Sequence, residues 1–96
     1  MSEAPTTALQ MRKQVKLQAL IDRRAGVNLH ETPISKDQKL TDHDHNHELL
    51  EATVTDTVEL RAWLHSYGDM LEVLEPKALR REFAAAAKKL AERYQR

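Results

Sequence analysis

Ninety-six residues suffice for one domain with a single modest core, and a formal net charge of zero with 31% charged and 41% hydrophobic side chains describes an ordinary globular chain. The lack of cysteine excludes a disulfide framework, thiolate chemistry and a cysteine-based zinc site, while the neutral total argues against strong non-specific nucleic-acid binding by this chain alone. No apolar run approaches the ~18 residues that span a bilayer, and MSEAPTTALQMRKQ lacks the apolar stretch of a signal peptide, so no membrane partner and a cytoplasmic location are expected.

Residues 1–7, with Pro5 and small polar side chains, read as a disordered lead. Residues 8–26 read as an N-terminal helix: good helix formers without Gly or Pro up to Gly26, which is placed as its stop. Leu17, Leu20 and Ile21 give this helix one apolar patch. An α+β domain over 27–96 follows. It starts with Val27 to Ile34, whose alternation predicts a strand that Pro33 confines to an edge. Ser35 to His47 is polar and rich in turn formers and reads as a long connection or hairpin loop. Glu48 to Thr55 predicts a second strand, with Leu50, Ala52 and Val54 on one face.

Asp56 is placed as a helix N-cap, with Glu59 three residues on as its capping-box partner. Leu60, Trp63, Leu64 and Tyr67 then recur at i, i+3, i+4 and i+7, an apolar stripe, and Gly68 stands where a left-handed stop is wanted. Met70 to Leu74 predicts a short strand. Pro76 opens a terminal helix whose Leu79, Phe83, Leu90 and Tyr94 share one side. The expected core is therefore Leu60, Trp63, Leu64, Tyr67, Val73, Leu79, Phe83, Leu90 and Tyr94. The fold predicted is α+β, a two-layer sandwich in which a small three-stranded mixed sheet carries helices on one face, plus the N-terminal helix. Strands two and three, joined through a helix, are expected to run parallel, and strands one and two antiparallel.

The neutral total hides a segregated layout: five basic against two acidic residues over 1–29, two against eight over 30–60, and seven against three over 75–96. The basic ends offer Arg12, Lys13, Lys16, Arg23, Arg24, Arg80, Arg81 and Lys88 as contacts to nucleic acid or to an acidic partner, the 30–60 segment of a second copy included. His43, His45 and His47 alternate with Asp42, Asp44 and Asn46, a pattern able to converge on a metal ion, but a solvated turn held by local Asp and Asn hydrogen bonds is the preferred reading and leaves no metal assigned. No Gly-rich phosphate loop, nucleophile elbow, HExxH or paired-carboxylate motif occurs, so no catalytic residue, cofactor or enzymatic activity is expected.

The stretches ETPISKDQKL and LEATVTDTVELRAWLHSYGDMLEVLEPKALRREFAAAAKKLAERY resemble the C-terminal extension of bacterial WYL-domain transcriptional regulators. The resemblance is carried by Asp37, Gln38, Ala52, Thr53, Val54, Asp56, Thr57, Leu60, Trp63, Leu64, Gly68, Glu72, Val73, Leu74, Pro76, Leu79, Arg80 and Tyr94, and covers about residues 31–95. Full members of that family look like a winged helix-turn-helix, a ligand-sensing WYL domain and this extension; here no Trp-Tyr-Leu tripeptide occurs and no helix-turn-helix fits residues 1–26. The resemblance implies a dimerisation or regulatory module, a homodimer as partner, and DNA reached only through the remainder of a regulator. A small nucleic-acid-binding module and a metal-binding accessory protein are the alternatives.

Overall fold

Four strands form one sheet in the order β2-β3-β1-β4, and every neighbouring pair is antiparallel. The computed structural model describes residues 13–96, along which the chain runs β1 (Gln14–Asp22), α1 (Arg23–Glu31), β2 (Lys39–Asp42), β3 (His47–Thr55), α2 (Val58–His65), a single 3-10 turn (Gly68–Met70), β4 (Leu71–Glu75) and α3 (Lys77–Tyr94). The expected disordered lead and the first part of the expected N-terminal helix, Arg12 included, lie outside the described residues. The order β1-α1-β2-β3-α2-β4 with these neighbours is the interleaved βαβ pair of ferredoxin-like folds, to which α3 is appended.

Three sequence expectations are corrected. The stretch expected to be an N-terminal helix is β1: Leu17, Ala19 and Ile21 are fully buried at alternate positions, and the strand pairs with β3 along its whole length. Val27 to Ile34 is not a strand. Asp22 caps a helix by accepting the Arg24 N–H at 2.8 Å, and α1 runs through Gly26 to Glu31, closed by Thr32 N–H donating to Asn28 O. Gly26 is thus interior to a helix, where a Cβ would lie 2.7 Å from Glu48 Oε1. The sheet has four antiparallel strands rather than three mixed ones, because Lys39–Asp42 pairs with Glu48–Glu51 as an added edge strand. β3 and β4 do run parallel, but β1 lies between them and is antiparallel to both.

The second half follows its local signals with small shifts. Thr57 rather than Asp56 is the N-cap of α2, its Oγ1 accepting the Leu60 N–H at 3.0 Å, while Asp56 pairs with Arg61. Gly68 takes φ 62°, the left-handed conformation that glycine tolerates best, between α2 and β4. Pro76 stands at the N-cap of α3.

The core lies between one sheet face and the helices. Leu17 and Ile21 of β1, Leu50, Ala52 and Val54 of β3, and Val73 of β4 pack with Leu29 of α1, Leu64 of α2 and Leu79 of α3. Leu60, Trp63, Tyr67 and Phe83 are half-buried against this cluster, and Trp63 meets Tyr67 edge-to-face with ring centroids 5.1 Å apart. Leu90 and Tyr94 are not core: they are 55% and 84% exposed. Length explains why. An 18-residue helix is ~27 Å long, whereas the five residues of β4 on which α3 rests span ~17 Å, so the last turns of α3 outrun the sheet.

Candidate interaction surface

The β2–β3 hairpin, where the histidines alternate with acids, is built by Arg23. Its backbone N–H donates to Asn46 O, its Nε and one terminal nitrogen donate to the carbonyls of His45 and Asp44 at 3.0 and 2.9 Å, and the other terminal nitrogen pairs with Asp42 at 2.9 Å. Asp44 accepts from the backbone N–H groups of Asn46 and His47 and pairs with His47 Nδ1 at 2.9 Å, and these bonds hold its carboxyl below the usual carboxylate range. The hairpin is thus a closed set of turn bonds of the kind Asp and Asn favour. His43, His45 and His47 do not converge on one point: among the described residues no group of three His, Cys, Asp or Glu is placed to hold a metal ion.

Beneath the hairpin, Glu48 is the one buried charged residue of the described core, 7% exposed. His30 Nε2 lies 3.0 Å and Arg23 3.9 Å from its Oε2, so the buried carboxylate has positive or hydrogen-bonding neighbours on two sides. The Asp37-Gln38 pair stitches the turn before β2 to the rest. Asp37 accepts from Ser35 Oγ and from both the N–H and the hydroxyl of Thr53, beyond the point where β2 stops pairing with β3; these bonds hold its carboxyl far below the ordinary range. Gln38 accepts the Ile34 N–H and donates to Leu29 O, anchoring the end of α1.

The basic candidates are dispersed. Lys13 and Lys16 sit at the start of β1 and Arg23 and Arg24 at its far end. Arg23 is occupied by the hairpin, Arg24 by Asp22 at 2.9 Å, and Arg80 by Glu72 at 2.7 Å, a helix-start ion pair. Arg81 and Lys88 are exposed on α3. Among the described residues they are divided between the two ends of β1, the start of α1, and α3.

What the fold leaves uncovered is a groove of about 620 Å³ between α3, the end of α2 and the edge strand β4. Its floor is Leu64, Leu71 and Val73, and its α3 wall carries Phe83, Leu90 and Tyr94 with alanines between them. His65 is exposed but lies flat on Phe83, with ring centroids 4.0 Å apart and planes 9° from parallel. Arg61 fixes the angle of the two helices: it pairs with Asp56, donates to Thr57 O at 3.2 Å, and forks onto Glu82 of α3 at 2.6 and 3.1 Å. The two carboxylates raise its already high pKa further. At the open side of the sheet, Arg80 donates to Val73 O at 2.8 Å and so occupies an edge carbonyl of β4. The sequence does carry a signal for this groove that the periodicity alone hides. Alanines 84–87 supply the helix's small side, and Leu90 and Tyr94 extend the stripe past anything a five-residue strand can cover.

Among the described residues no helix is long and apolar enough to cross a membrane. The family model of the WCX domain, a C-terminal domain associated with WYL regulators, matches residues 13–91. No curated protein and no solved structure matches the chain.

Proposed function

The chain belongs to the WCX domain family, and we propose that it serves as a non-catalytic accessory module of a WYL-type transcriptional regulator, joining two copies and so placing the regulator's DNA-reading parts relative to each other. One observation carries the reading: the apolar side of α3 continues through Leu90 and Tyr94 after the domain has run out of sheet to cover it. Apolar surface gathered on one side of a groove is the usual mark of a protein contact. A small domain gains from burying it, because a core of this size leaves little stability to spare. The non-catalytic part of the reading rests on the sequence, which offers no motif pairing a nucleophile with a base.

Sedimentation equilibrium of the purified chain from micromolar to millimolar concentration tests the proposal. A monomer–dimer equilibrium is the expected result. A strictly monomeric protein over that range removes the dimerising role.

A further inference from the structure

We infer that the groove beside α3 is filled by the α3 helix of a second copy of this chain, packed antiparallel across a two-fold axis near Ala87. This rests on the dimeric reading above and adds the surface and its geometry. The α3 wall of the groove runs from Arg80 to Tyr94, with Ala87 at its middle. A contact between identical surfaces places the middle of the shared surface on the axis.

Side-chain size fits that placement. Antiparallel pairing about Ala87 sets Phe83 against the partner's Ala91 and Leu90 against the partner's Ala84, so that bulky groups meet alanines and the helices approach closely. It also brings Tyr94 over the partner's Arg80, a cation held in place by Glu72. A strand is a poorer occupant than a helix, because Arg80 already holds the Val73 carbonyl on the edge that an added strand would need.

The chain has no cysteine, so single introduced cysteines report proximity cleanly. Ala87→Cys is expected to form an intermolecular disulfide under mild oxidation, whereas Leu20→Cys, on the sheet face away from the helices, is not. Leu90→Glu, at a position more than half exposed, is expected to keep the wild-type circular dichroism and to raise the dimer dissociation constant by about tenfold or more. A wild-type dimer that Leu90→Glu leaves intact, with no Ala87→Cys crosslink, would overturn this geometry, assign the groove to another occupant, and leave the dimeric reading standing. A crosslink through Leu20→Cys in place of Ala87→Cys would move the interface to the open sheet face. A wild-type monomer would overturn both.

Discussion

Gly26 shows how one missing methyl group allows a buried charge. In a helix interior, glycine costs about 1 kcal/mol relative to alanine, yet here an alanine Cβ would stand 2.7 Å from Glu48 Oε1. The carboxylate would have to swing away from His30, and at 7% exposure it has little room to do so. We therefore expect Gly26→Ala to destabilise the domain by about 1–2 kcal/mol in urea titrations. In a Glu48→Ala background the same change should become neutral or stabilising by up to ~1 kcal/mol, since only the propensity gain is left. A Gly26→Ala penalty that persists without Glu48 would refute the steric account. The second residue-scale effect is acid sensitivity. Asp22 is pushed down to about 2 by the Arg24 guanidinium and backbone N–H, and Asp37 lower still by Ser35 and Thr53. A carboxyl whose folded pKa lies below its unfolded value of about 3.9 stabilises the fold fully above that value and loses the contribution as pH falls through the folded pKa. Stability should therefore drop between about pH 4 and pH 2, and the drop should be shallower in Asp22→Asn and Asp37→Asn variants followed by urea midpoint against pH.

At the scale of elements, Arg61 is the tie between α2 and α3, and its planar fork is what lets one side chain serve Asp56 and Glu82 together. Arg61→Ala should cost about 1 kcal/mol, discounted for its partial exposure, and Arg61→Lys should recover less than half, because an ammonium cannot fork onto Glu82 while holding Asp56. Full recovery by lysine would reduce Arg61 to a simple point charge. The same two helices show which parts of the fold local sequence could announce. From Thr57 to Leu79 the elements are punctuated by residues with one physical use each: a hydroxyl cap, a glycine at positive φ, and a proline before a helix. There the expected and observed elements differ by a residue or so. The first half has no such punctuation. β1 is written mostly in Gln, Lys, Leu and Ala, good helix formers that outnumber Val15 and Ile21, and its alternating burial of Leu17, Ala19 and Ile21 is set by pairing to β3 and β4 on its two sides. α1 has two and a half turns, too short to display a helical period against the chance alternation of VNLHETPI, and its glycine is explained by Glu48, remote in sequence. β2 has four residues with Leu40 its only apolar one, so it exists through its partner strand and not through its own composition.

For the whole molecule the segregated charge decides between contact with a second copy and contact with nucleic acid. Helix α3 carries six basic and two acidic side chains, so two such helices brought side by side repel one another. In the proposed pairing the attraction comes mainly from apolar burial by Phe83, Leu90 and Tyr94, which salt does not weaken. Screening over a Debye length of about 10 Å at 0.1 M removes repulsion and local attraction alike, and repulsion is the larger because the net charge of each helix is positive. The dimer should accordingly tighten a few-fold between about 50 and 500 mM salt, and its melting temperature should rise with protein concentration, since only association adds stability by mass action. Nucleic-acid binding by the same basic residues has the opposite sign: it depends on released counterions and collapses over that salt range. Scanning calorimetry at two protein concentrations and two salt concentrations separates the cases. A melting temperature independent of concentration at both salts removes the self-association. A dimer that loosens as salt rises would instead mean that ion pairs, and not the uncovered apolar end of α3, hold the copies together.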